Sequence, residues 1–134
     1  MRPEILARIA TARAARDLSD LARQAVATAA QPATTAERIE QARRLRNLAG
    51  DIVDLVVLTE ALEGTSWEEI TKALKRRDPG TVEDEYADEV AQWQALPEHD
   101  MAQAAAGLDA WYARHREDHD PAADNPLKGL LNQR

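Results

Sequence analysis

A chain of 134 residues is sized for one domain with a real core and not for two. It has no cysteine, which excludes disulfides and thiolate metal sites. No run approaches the ~18 uninterrupted apolar residues of a membrane span, and the N-terminus lacks the basic, apolar and cleavage regions of a secretion signal, so a soluble cytoplasmic protein is the expectation. The formal net charge of −7 is unevenly divided. Positions 1–50 carry nine Arg against five acids, a net of +4, and positions 51–134 carry eight Lys or Arg against nineteen acids, a net of −11. A chain divided in this way can present one basic and one acidic face.

Taken in order, the elements are all helical. A first helical region covers about 3–30. Its apolar stripe drifts from Ile5 and Ile9 on one side to Leu18, Leu21 and Ala25 on another, which predicts a bend or a break near Arg16-Asp17. After a loop at 31–34, Thr34 and Glu37 have the spacing of a capping box for a second helix over about 35–63. The run Ile52-Val53-Asp54-Leu55-Val56-Val57-Leu58 is apolar around most of its circumference, so it is expected at the centre of the core. Gly64 suits the left-handed position after a helix end.

Ser66 and Glu69 form a further capping box, opening a short helix whose Trp67, Ile70 and Leu74 share one face. Trp67 is expected to be a core residue lying over Leu55 or Leu58. Asp78-Pro79-Gly80 reads as a turn, and Thr81 with Asp84 as the cap of a second short helix with an apolar stripe of Val82, Tyr86, Val90 and Trp93. A last helix over about 98–116 carries Met101, Leu108, Trp111 and Tyr112. The reading is an all-α bundle of about five helices, a single domain over 1–116, followed by a mobile C-terminal tail over 117–134 whose Leu127, Leu130 and Leu131 form a small apolar hook.

The order of helix, Gly stop, capped short helix, turn and second short helix over 59–96 is the skeleton of a helix-turn-helix. With Ala42-Arg43-Arg44-Leu45-Arg46, Asp51-Ile52-Val53-Asp54-Leu55, Ser66-Trp67-Glu68-Glu69-Ile70 and Ala73-Leu74, the stretch of about 38–90 resembles small helix-turn-helix proteins of actinobacteria and their phages. The resemblance implies a cytoplasmic transcription regulator that binds DNA. In that family a "xSWxEIxxAL" segment precedes a small turn and a polar or basic recognition helix. Here the turn is the longer Lys75-Arg76-Arg77-Asp78-Pro79-Gly80, and the second helix carries Glu83, Asp84, Glu85, Asp88 and Glu89. The helix-turn-helix is degenerate at the element that would read bases.

Carboxylates at the N-terminus of a recognition helix would face phosphates. Any DNA contact must therefore come from Lys72, Lys75, Arg76 and Arg77, or from Arg38, Arg43, Arg44 and Arg46. Two acidic pairs, Glu37-x-x-Glu40 and Asp51-x-x-Asp54, resemble the motifs by which all-α nucleotide pyrophosphatases hold Mg²⁺. On one straight helix they stand ~16 Å apart, too far to share a metal. His115 and His119 have the i, i+4 spacing of a chelating pair, and Ser19 and Ser66, the only serines, sit in capping contexts without a base.

Three functions follow as expectations. The first is a small regulatory protein with weak, backbone-directed DNA association through its basic N-terminal half. The second is a non-enzymatic interaction module whose acidic face, 83–120, meets a basic protein partner in the manner of a DNA mimic. The third is a Mg²⁺-dependent nucleotide pyrophosphatase. The first two imply no catalytic residue, cofactor, metal or membrane, and a homodimer is compatible with the Ala-rich helices.

Overall fold

A computed structural model describes residues 2–132, which form six α-helices and no strand: α1 Pro3–Thr28, α2 Thr35–Leu62, α3 Trp67–Ala73, α4 Pro79–Gln94, α5 Ala102–His115 and α6 Pro126–Leu131. The all-α class stands as expected, with one helix more than the sequence suggests.

The spine is an antiparallel hairpin of α1 and α2. Thr28 Oγ1 donates to Gln41 Oε1 at 3.0 Å near the loop, and Arg8 pairs with Glu63 at the far end, so the register holds over the full length. Its seam has heptad spacing. On α1 it uses Thr11, Ala14, Leu18, Leu21, Ala25 and Thr28, all half-buried. On α2 it uses Gln41, Leu45, Leu48, Ile52, Leu55, Thr59 and Leu62, all half-buried or buried.

The drift of the α1 stripe is thereby explained without a break, because α1 is one continuous helix with two partners. Leu18, Leu21 and Ala25 belong to the α2 seam. Ile5 and Ile9 point elsewhere and form a first core cluster with Leu108 of α5, around which Ala12, Met101, Ala104, Leu127, Leu130 and Leu131 are packed.

The second core cluster lies on the other side of the spine, where Val57 of α2, Ile70 of α3 and Val82 of α4 meet, with Ala61, Trp67, Leu74 and Tyr86 around them. Leu58 and Val82 are wholly enclosed, whereas Trp67 is only half-buried and lies at the rim, its ring stacked 6.4 Å from that of Tyr86. The run 52–58 is less central than its composition suggests. Val53 and Val56 remain 49% and 44% exposed, because α1 and α3–α4 cover two flanks of α2 and no helix among the described residues covers the third.

The segment after 117, expected as a mobile tail, belongs to the domain up to the end of α6. Leu127, Leu130 and Leu131 dock on the Ile5, Ile9 and Leu108 cluster. The latch is Asp109, 5% exposed, which accepts from the backbone N–H groups of Leu127 at 2.8 Å and Lys128 at 3.0 Å. A carboxylate there satisfies two of the amides that any helix start leaves unpaired and complements its dipole.

Candidate partner-binding surfaces

The C-terminal half of α2 with α3 and α4 forms the tri-helical unit anticipated from the sequence, and its local chemistry accounts for each boundary. Thr34 caps α2 by accepting from Glu37 N–H, and Ser66 caps α3 by accepting from Glu69 N–H. Both α2 and α3 end in a Schellman motif. At α2, Gly64 N–H reaches Ala61 O and Thr65 N–H reaches Glu60 O; at α3, Lys75 N–H reaches Lys72 O and Arg76 N–H reaches Thr71 O. The left-handed residue is Gly64 at φ 94° in the first and Lys75 at φ 59° in the second, the latter a position that normally favours glycine.

The start of α4 corrects the sequence reading. Its cap is Asp78, not Thr81: Asp78 Oδ1 accepts from Gly80 N–H at 3.0 Å, and Oδ2 accepts from the Thr81 hydroxyl at 2.7 Å. These bonds hold the Asp78 carboxyl below its ordinary range, the Thr81 hydroxyl contributing most. Pro79 begins the helix because its ring presets a helical φ and its missing N–H is one the first turn cannot use.

From this start, α4 divides cleanly. Val82 is wholly buried, and Tyr86, Val90 and Trp93 are half-buried on the inner side. The Tyr86 hydroxyl donates to Asp54 Oδ1 of α2 at 2.8 Å. Burial, and then this bond to a carboxylate, push the Tyr86 phenol up to about 12. The outer side exposes Glu83, Asp84, Glu85, Asp88 and Glu89. Of these five only Glu85 is ion-paired among the described residues, to Arg76 at 2.7 Å, and that guanidinium holds its carboxyl low.

Two of the basic candidates have structural partners. Arg38 is committed to structure: its guanidinium donates to Ala29 O at 3.3 Å and Gln31 O at 2.9 Å, closing the loop after α1. Arg76 is spent on Glu85. Arg43, Arg44 and Arg46 stand exposed midway along α2, and Lys72, Lys75 and Arg77 stand exposed around the α3–α4 turn; none of these six makes an ion pair among the described residues. Leu74 borders a groove with Ile52 and Val53, which brings that turn toward the stretch of α2 holding Arg46.

The metal candidates are not assembled. The α5 helix ends at His115, so His119 lies beyond it; His115 Nδ1 is 2.8 Å from Trp111 O, and His119 lies near Glu117 and Asp120. The Glu37, Glu40, Asp51 and Asp54 carboxylates lie on one continuous helix, and Asp54 already accepts from Tyr86. No group of three or more His or acidic side chains among the described residues is placed to hold a metal ion, and no helix is long and apolar enough to cross a membrane.

The Arg38 clamp and the Asp54–Tyr86 bond escape sequence reasoning because each depends on tertiary approach. A hollow of about 350 Å³ between α1, α5 and the segment leading into α6, walled by Ala12, Ala15, Trp111, Tyr112, Pro121 and Leu127, is likewise invisible in the sequence. No family model matches the chain, and no curated protein or solved structure matches it.

Proposed function

We propose that this chain is a non-catalytic interaction protein built on a helix-turn-helix-like frame, in which α4 offers an acidic face to a basic protein partner instead of reading DNA. One observation carries this reading. The inner side of α4 is consumed by Val82 and by the Tyr86–Asp54 bond, leaving Glu83, Asp84, Asp88 and Glu89 exposed and without ion pairs among the described residues. A recognition helix meets phosphates at its N-terminal turns, and carboxylates there repel a polyanion while attracting a polycation. The test is a titration of a labelled arginine-rich peptide with wild-type protein and with the combined variant Glu83→Gln, Asp84→Asn, Asp88→Asn, Glu89→Gln. Binding that weakens with salt and drops roughly tenfold or more in the variant supports the proposal; equal affinity for both proteins sinks it.

A second reading has its own support. Arg43, Arg44 and Arg46 are exposed and unpaired among the described residues, which favours weak, sequence-independent association of α2 with a phosphate backbone. Such binding would fall steeply with salt, and Arg43→Ala with Arg44→Ala would reduce the slope by about two. A slope unchanged by both substitutions would remove these arginines from the contact.

A further inference from the structure

Beside its packed seam, and one residue on from it, α2 carries a second row with heptad spacing. Ala42, Arg46, Ala49, Val53, Val56 and Glu60 follow one another at alternating steps of four and three residues, and all six are exposed. The inner seam of the hairpin has the same period. The row runs between two neighbours: Val56 and Glu60 share a hollow with Arg8 and Thr11 of α1, and Val53 and Val56 line a groove of about 280 Å³ bordered by Ala73 and Leu74 of α3, yet all six residues stay exposed. A valine pair half out of water beside an open groove is a surface that association would bury.

The charges on the row indicate what covers it. Arg46 and Glu60 lie equally far from Val53, two helical turns or ~10.5 Å to either side, and on the same line along the helix. Neither makes an ion pair among the described residues, where the Glu60 carboxylate accepts only from the Thr65 hydroxyl at 2.8 Å. A charge pattern that changes sign about its own midpoint is complementary to itself turned end for end. We infer that this row is a two-fold interface on which α2 packs antiparallel against α2 of a second copy, with Val53 at the axis and Arg46 of each copy against Glu60 of the other.

The opposite orientation is disfavoured by the same residues, since parallel packing would set Arg46 beside Arg46 and Glu60 beside Glu60. The intervening residues suit a close approach. Ala42 and Ala49 have only a methyl group, compatible with the 8–10 Å interaxial spacing typical of packed helices, and Ala49 comes within one residue's rise, ~1.5 Å, of the level of the second copy's Val56. The contact is isologous and closes as a dimer. It uses none of the acidic residues of α4, so its failure would leave the partner reading standing, and the reverse.

Sedimentation velocity with charge-exchanged variants tests the proposal. The wild-type chain should sediment as a dimer. Arg46→Glu alone and Glu60→Arg alone should each weaken association by about tenfold or more, because each sets like charges together twice. An equimolar mixture of the two single variants should recover a dimer with one copy of each, visible as a heterodimer mass by native mass spectrometry. The double variant Arg46→Glu, Glu60→Arg should recover a homodimer. Val53→Asp, which sets two carboxylates at the axis, should give a monomer whose helical circular dichroism matches that of the wild type. A monomeric wild-type chain, a dimer indifferent to these changes, or single variants that fail to pair with each other would each overturn the interface.

Discussion

The hydroxyl of Tyr86 donates to Asp54 Oδ1 at 2.8 Å, joining the acidic helix to the spine from thirty-two residues away in the chain. With Val82 buried one turn earlier, this bond fixes which side of α4 faces outward.

Tyr86→Phe removes the bond and leaves Asp54 without that donor. The expected cost is about 1 kcal/mol in a denaturant melt. The pH dependence has a definite sign. The phenol's pKa is raised from 10.0 to about 12 in the folded chain, so the stability it contributes is whole below about pH 10 and is lost as pH rises toward 12. Spectrophotometric titration of phenolate should show a late-ionising component in the wild type that is missing from Tyr86→Phe. Ionisation of Tyr86 near pH 10 would mean that the hydroxyl faces water.

Asp109→Ala should release α6 without unfolding the spine. The lost bonds are the cap of α6, worth roughly 0.5–2 kcal/mol, and the affected amides, Leu127 and Lys128, should lose protection in hydrogen exchange. Amides of α3 and α4 should exchange as before, since they pack on the other side of the hairpin. Unchanged protection of Leu127 and Lys128 would show that the apolar hook alone holds the tail.

The paired Schellman motifs give a comparison of opposite sign. Gly64→Ala places a side chain at φ 94° and should destabilise the protein by roughly 1 kcal/mol or more. Lys75→Gly relieves a left-handed lysine at φ 59° and should raise stability by a few tenths to ~1 kcal/mol, the gain being reduced by the greater freedom of glycine in the unfolded chain. Thermal melts of both variants decide the matter. A destabilised Lys75→Gly would show that the lysine side chain contributes a contact worth more than the strain.

Local signals in the sequence hold at most of the helix boundaries, and distant ones do not. Thr34, Gly64 and Ser66 announced their helix ends because caps depend on a few adjacent residues. Asp78 is ambiguous in the sequence because a Pro after a polar residue can end one helix or begin the next, and only the chain's direction afterwards separates the two. The stripe on α4 was legible from Val82 to Trp93, since one neighbour buries one face. The stripe on α1 was ambiguous, since two neighbours bury two faces, and the apolar girdle of 52–58 overstated its burial because composition cannot count neighbours. Among the candidate residues, the acidic set of α4 is exposed, and of the basic set Arg38 and Arg76 have structural partners that spacing does not reveal.

The most direct test of the account is the sign of a change in DNA affinity. Glu83, Asp84 and Glu85 lie where a recognition helix would meet the duplex, and their neutralisation as Glu83→Gln, Asp84→Asn and Glu85→Gln should be measured by titration with duplex DNA at fixed salt. If α4 is a partner-facing acidic surface, removing its charge lessens repulsion from phosphates and frees Arg76 from Glu85, so DNA affinity should rise. Loss of binding to a defined sequence would contradict the account, because it would mean that these carboxylates read bases.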